Sequence, residues 1–342
     1  MGVRFSLPAH LNIMNPLPLL VILGPTATGK SDLAVQVALK IRELSNGKYN
    51  AAEIISADSR QVYKGLDIGT GKITMDEMHG IKHHLLDVVS PRKRFAVIDY
   101  KKIAEKAIQD ISGRGNLPII CGGTGFYIDA VVYNVDFPRV PANRALRKTL
   151  AQKSVDELYT MLEKIHPARA KIMNHSDRNN PVRLIRAIEI AKEKEGRHDS
   201  ENQPAKTSRM VVSKSPLQKN YDSIFIGLQA DRNTTNQRIH KRLLDRIEHG
   251  MIEEAINLHK TSKNNGSNLS WKRMEELGLE YRYLSRYLQK KLSKDEMVAK
   301  LYQEICNYSK RQMTWFKRNG NIAWFDLDKK AAIFDLLRSR FK

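Results

Sequence analysis

Short apolar runs alternate with helical patterns through the first 130 residues of the chain. Leu19 to Leu23, Glu53 to Ala57 and Leu117 to Cys121 have the length and the bounding turns of buried strands. Between them, Leu33, Val37, Ala38 and Ile41 recur at helical spacing, as do Ile103, Ala107, Ile108 and Ile111. The order strand-helix-strand-helix-strand predicts an α/β fold, a doubly wound parallel sheet core with helices on both faces. From Asn134 to about Ala191 the pattern turns wholly helical, with Val155, Leu158, Leu162 and Ile165 on one stripe and Leu184, Ile185 and Ile188 on another. This predicts an inserted all-helical domain. Residues Glu193 to Asn220 are polar, with Gly196, Pro204 and Pro216 among many Lys, Ser and Asn, and are expected to form a mobile loop. Strand patterns return at Ser223 to Leu228 and Ile322 to Phe325, with long amphipathic helices expected over about 234–259 and 295–317.

The length of 342 residues suits two domains, or one large domain carrying an insertion. Charge narrows the picture further. Lys and Arg number 58 against 37 Asp and Glu, so the net charge is +21. A surface that cationic attracts polyanions, with nucleic acid or an acidic membrane surface foremost, although the same charge also serves solubility. The two cysteines, Cys121 and Cys306, form no disulfide framework and lie at no metal-ligand spacing, which implies a reducing, cytoplasmic setting. The apolar run Leu17 to Leu23 is too short to span a bilayer, so no membrane partner is expected. Met1-Gly2 with Ser6, and the absence of acid before Asp32, match lipidation and transit patterns only loosely.

Gly24-Pro25-Thr26-Ala27-Thr28-Gly29-Lys30-Ser31 satisfies GxxxxGK[ST] directly after a predicted strand and before a predicted helix. Such a loop folds backbone N–H groups around phosphate oxygens, adds the positive end of a helix, and supplies the Lys30 charge and the Ser31 hydroxyl as a Mg²⁺ ligand. It does not by itself say which phosphate compound is held. Asp58 ends the second strand beside this loop, where it could organise Mg²⁺, accept a proton or cap the next turn. The third strand ends in a second glycine-rich loop, Gly122-Gly123-Thr124-Gly125-Phe126-Tyr127. The division expected is an N-terminal extension (1–18), a P-loop catalytic core in two parts (19–133 and 221–342), the helical insertion (134–192) and the loop (193–220).

Taken together, GPTATGKS, DSRQVYKGLDIGTGK (58–72), HHLLD (83–87), GGTGFY (122–127), RLIRAIEI (183–190) and SKRQMTWFKR (309–318) resemble the tRNA dimethylallyltransferases, in family order across nearly the whole chain. The resemblance is to the bacterial type without a zinc finger. It implies transfer of a dimethylallyl group from dimethylallyl diphosphate to the exocyclic amine of the adenine 3′ of the anticodon. The P-loop, Gly24 to Ser31, then grips the donor's diphosphate. An adenine amine is a poor nucleophile, so a base must take its proton, and Asp58 is the matching position. Lys30, the loop N–H groups and Mg²⁺ on Ser31 would neutralise the leaving diphosphate, while Thr124 would bond near the reacting amine or the bridging oxygen.

The resemblance also assigns tRNA contacts to Asp58, Ser59, Arg60, Gln61 and Thr124 around a flipped adenine. It places Arg147, Arg183 and Arg186 against the anticodon stem-loop, in the helical insertion, and Arg238 and Arg242 near donor or tRNA phosphates. Each lone arginine could equally be a solvated side chain, and Trp315 and Phe316 could be core anchors or base-stacking platforms. A monomer is expected. Some positions depart from the family strings: Gly71 stands where alanine is usual, Ile73 where proline is usual, and the segment Gly278 to Arg282 replaces a GYKE-like string. Adjacent His83 and His84 read as structural. Three competing functions remain: prenylation of free AMP or ATP, which needs neither the insertion nor the charge; a P-loop small-molecule kinase; and a non-catalytic RNA-binding module, which leaves Asp58 and Thr124 idle.

Overall fold

The computed structural model describes residues 16–138, 140–195, 220–260 and 268–341. Most of the N-terminal extension and most of the 193–220 loop therefore lie outside the described residues. Six strands form one wholly parallel sheet: β1 (Leu17–Leu23), β2 (Ala52–Ser56), β3 (His83–His84), β4 (Leu117–Gly122), β5 (Tyr221–Gln229) and β6 (Ile322–Asp326), in the order β3-β2-β4-β1-β5-β6. Alternation within the apolar runs divides each strand between two cores. Leu20 and Ile22 pack with Ile54 and Ile119 under the helices Lys30–Leu44 and Lys330–Phe341. Leu19, Val21 and Leu23 pack with Ile55 and Ile120 on the opposite face, under Val97–Gly113 and Gly125–Val132. The edge strand β3 is only two residues long, too short for a periodic signal.

The chain divides into two compact units, Val135–Leu217 and the remainder. In the smaller unit, Leu158 and Leu162 of the helix Val155–Ile165 pack against Leu184 and Ile188 of Pro181–Glu195. Ser154 and Glu157 close a capping box at the start of the first of these helices.

A third core gathers Val62, Tyr63 and Leu66 with a helical layer carrying Leu243, Met251, Tyr281 and Leu301. The helix expected over 234–259 is two, Arg232–Glu248 and Met251–His259, because Gly250 takes a left-handed φ of 96° that turns the chain between them. The helices Trp271–Leu277 and Leu279–Leu288 have no counterpart in the sequence reading. Among the described residues no helix is long and apolar enough to cross a membrane.

Candidate active site

The sheet order changes direction at β1, with β4 and β2 to one side and β5 and β6 to the other. Open parallel sheets bind ligands at the carboxyl ends of strands at such a switch point. Three loops leave the sheet there: 24–29 after β1, 57–62 after β2, and 123–124 after β4. With the helices Arg232–Glu248, Leu279–Leu288 and Lys294–Phe316 they enclose a polar cavity of about 370 Å³.

The phosphate loop is built from local bonds. Thr28 donates its hydroxyl to the Pro25 carbonyl (2.9 Å), and the Lys30 ammonium donates to the same oxygen (3.1 Å). Gly29 is the left-handed N-cap of Lys30–Leu44, so the first N–H groups of that helix open forward, while Ala27 also has positive φ. Thr26, Lys30 and Ser31 line the cavity; Thr28 and Gly29 line a second recess on the far side of the loop, which Arg238 also faces. Desolvation, together with the positive charges of Arg242 and Arg246, holds the Lys30 ammonium below its ordinary pKa.

Asp58 and Thr124 meet beside this loop. Asp58 Oδ1 accepts the backbone N–H groups of Arg60 (2.7 Å) and Gln61 (3.2 Å), so the carboxylate caps the turn as well as facing the cavity. Its Oδ2 atom has no partner among the described residues. Thr124 accepts the Ser59 N–H on its hydroxyl (3.1 Å) and donates its own N–H to the Ala57 carbonyl (3.0 Å). Tyr308 shares a hydrogen bond with Thr124; desolvation and the nearby Asp58 charge push its hydroxyl up to about 12. Gln61 accepts from the Ser56 hydroxyl and donates to the Gly71 carbonyl (3.2 Å).

Gln312 ties the two glycine-rich loops together. Its amide accepts the Thr26 N–H (3.0 Å) and donates to the Gly123 carbonyl (2.8 Å), and a Cβ on Gly123 would stand 2.3 Å from it. Three residues on, Trp315 donates to Asp129 (2.8 Å) and packs into the core with buried Phe316, and Arg318 stacks on its ring at 3.8 Å. Trp315 and Phe316 are thus core anchors rather than base-stacking platforms. Desolvation pushes the Asp129 carboxyl up to about 6 against the Trp315 bond.

The long DIGTGK string is mostly scaffold. Lys72, almost fully enclosed, bonds the Tyr63 carbonyl (3.1 Å), Asp67 (2.5 Å) and Asp87 (2.6 Å), while Glu254 accepts the N–H groups of Asp67, Ile68 and Gly69 and the Tyr281 hydroxyl. His84 bonds Glu53 (2.7 Å), and His83 bonds the Ile81 carbonyl (2.8 Å) while also lining the cavity. No cluster of three or more His, Cys, Asp or Glu that could hold a metal occurs among the described residues.

The arginines divide. Arg242 lines the cavity and Arg238, on the same helix, lines the second recess; both side chains are exposed. In the helical unit, Arg147 (2.7 Å) and Arg186 (2.5 Å) both grip the buried Glu189, and Arg183 pairs with Asp177. Arg246, Glu280 and Tyr308 line the cavity but were missed in the sequence. Helical spacing carried the signal for two of them: Arg246 lies one turn from Arg242, and Tyr308 one turn from Gln312.

A family model described as IPP transferase matches residues 61–319. The chain is 41% identical over 299 residues to tRNA dimethylallyltransferase 2 of Treponema denticola, covering 87% of this chain and 91% of that protein. It is 38% identical over 331 residues to the tRNA dimethylallyltransferase of Caldanaerobacter subterraneus, with 95% and 96% covered. The crystal structure of full-length tRNA isopentenylpyrophosphate transferase from Bacillus halodurans matches with a TM-score of 0.63 at 31% identity, covering 95% of this chain and 96% of that one. A eukaryotic dimethylallyltransferase acting on tRNA shares the fold at a TM-score of 0.70 and 23% identity. A family model that matches three quarters of the sequence, with relatives about 40% identical over nearly its whole length, places this chain in the IPP transferase family of tRNA dimethylallyltransferases.

Proposed function

We propose that the protein transfers the dimethylallyl group of dimethylallyl diphosphate to the exocyclic amine of the adenine 3′ of the anticodon in tRNA, releasing diphosphate. One observation carries this reading. Asp58 lines the same cavity as Lys30 and Ser31 of the 24–31 loop, and Thr124 stands beside it, accepting the N–H of the next residue, Ser59. A proton acceptor, a hydroxyl and a cationic phosphate cradle in one enclosure suit an amine attacking an allylic diphosphate.

In the reaction the bond between the allylic carbon and the bridging oxygen breaks, and a bond between that carbon and the adenine nitrogen forms. The amine proton passes to Asp58, and the electron pair of the broken bond leaves on the diphosphate. Lys30, Arg242 and the N–H groups at the start of Lys30–Leu44 stabilise the departing charge. The residues 24–31 thus hold the donor, with Thr26, Lys30 and Ser31 facing it. A magnesium ion held by the Ser31 hydroxyl and donor phosphate oxygens would add Lewis-acid neutralisation of that charge. Ser59, Arg60 and Gln61 border the flipped adenine. Arg238 and Arg242 meet phosphates, and Arg147, Arg183 and Arg186 present the helical unit to the anticodon stem-loop. The chain acts as a monomer on cytoplasmic tRNA in this reading.

The test is radiolabelled dimethylallyl diphosphate offered with bulk tRNA and, separately, with AMP. Label should enter tRNA and not AMP, with ATP a poor competitor. Label in AMP alone, or phosphate transfer from ATP to a small acceptor, would overturn the proposal.

A further inference from the structure

The helix Arg232–Glu248 sends two arginines one turn apart, Arg242 and Arg246, into the cavity that Lys30 also lines. Their guanidinium groups crowd one point. A Cβ on Gly71 would stand 1.7 Å from Nη2 of Arg246 and 2.8 Å from Nη2 of Arg242, so a side chain there would push these flexible guanidinium ends out of their present place. Gly71 has a φ of 57°, which a side chain would also oppose.

Arg246 is aimed from behind. Its Nη1 atom donates to the Gly69 carbonyl (3.1 Å) and lies 3.7 Å from the Glu280 carboxylate, and its side chain is only 15% exposed. The Gly69 carbonyl is itself fixed, because Glu254 accepts three successive backbone N–H groups of that loop and the Tyr281 hydroxyl.

Three cations facing one enclosure repel each other unless an anion lies among them. Asp58, Glu280 and Glu304 also line the cavity, but Arg60, Arg282 and Arg311 add to its cations, so positive charge remains in excess. The natural occupant is an anion carrying several charges.

We infer that Arg246 is a third cationic contact to the donor's diphosphate, admitted by the missing side chain of Gly71 and aimed by Gly69 and Glu280, and that it sets the preference for diphosphate over a single phosphate. The inference rests on the function proposed above. A guanidinium offers two parallel N–H donors that fit phosphate oxygens, whereas the Lys30 ammonium acts as a point charge. A diphosphate has enough oxygens to meet Lys30 and the arginine pair together; inorganic phosphate must forgo one of them.

The test is calorimetric binding of inorganic diphosphate and inorganic phosphate to the wild type, Arg246→Met, Arg246→Lys, Gly71→Ala and the Gly71→Ala/Arg246→Met double variant, beside steady-state assays with dimethylallyl diphosphate and tRNA. Losing a charge-assisted contact should weaken diphosphate by ~10–100-fold in Arg246→Met, raise the donor KM similarly and leave the tRNA KM within about twofold. Phosphate affinity should change little, so the preference collapses, and Arg246→Lys should restore part of it. Gly71→Ala should weaken diphosphate as Arg246→Met does, yet cost almost nothing further in the double variant, because the displaced contact is already gone. Diphosphate affinity within about twofold of wild type in Arg246→Met, with only a lowered melting temperature, would overturn the inference and make Arg246 a structural pin. If Arg246→Met does not fold, full diphosphate preference in either Gly71→Ala or Arg246→Lys overturns it. Arg246-dependent diphosphate binding in a wild type that transfers nothing to tRNA would instead sink the proposed function and leave the anion site standing.

Discussion

At the scale of single residues, the proposed reaction hangs on Asp58, for which it implies two tasks that a substitution can separate. One carboxylate oxygen accepts the Arg60 and Gln61 N–H groups and shapes the turn, and the residue also lines the cavity. Asp58→Asn keeps an oxygen for the turn and loses the proton acceptor. Donor and tRNA binding should stay within a few-fold of wild type while transfer slows by ~10²–10⁴, the span expected for loss of a general base. Single-turnover assays at saturating substrates check this, and near-wild-type transfer would remove Asp58 from the chemistry. Lys30→Ala should act differently, weakening the donor and its departure together, since its ammonium belongs to the phosphate cradle. Isothermal binding of inorganic diphosphate reads that loss directly.

At the scale of elements, the helical unit depends on a charge at its centre. Glu189 on the helix Pro181–Glu195 is 2% exposed, and against the desolvation that raises its pKa, Arg147, Arg186 and the Asn143 N–H hold it down to about 2. A carboxyl whose folded pKa is depressed lends stability above its unfolded pKa, near 4.5, and loses it as pH falls towards 2. The full difference corresponds to about 3 kcal/mol at ~1.4 kcal/mol per pKa unit. Hydrogen-exchange protection factors over 144–195 should therefore fall between pH 4.5 and 2, and Glu189→Gln should flatten that dependence while lowering protection at neutral pH. An unchanged acid profile in the variant would remove Glu189 from the account. The same geometry separates Arg186 from Arg183: Arg186→Ala strands a buried carboxylate and should destabilise the unit, whereas the Arg183 side chain is 53% exposed and can be removed without that cost.

The whole molecule carries a net charge of +21. If cationic residues grip an anticodon stem-loop, tRNA binding should fall steeply with salt as counterions are released. Six to ten phosphate contacts imply roughly 10³–10⁵-fold weakening between 50 and 200 mM by the duplex rule, and less for a loop. Donor affinity should change far less. Arg183→Ala should flatten the slope of log affinity against log salt by about one while leaving transfer at saturating tRNA intact. A flat salt response for tRNA would disconnect the charge from RNA binding.

The parts legible from sequence alone were those whose physics is local. A phosphate cradle is built by eight consecutive residues, a buried parallel strand by one short apolar run, and the helical insertion by a stripe that repeats every turn, so order and spacing suffice for each. The helix break at Gly250 and the two-residue β3 escaped because a single glycine and two histidines make no period. The closure of the site needed the tertiary structure. Gln312 meets Thr26 across 286 residues, Trp315 meets Asp129 across 186, and Arg246 meets the Gly69 carbonyl across 177. No local pattern records which distant side chain fills a glycine's empty space, and so the sequence determined which loops bear the chemistry, whereas only packing decided which arginine enters the cavity, which carboxylates are spent on structure, and which tail residues lock the two glycine-rich loops together.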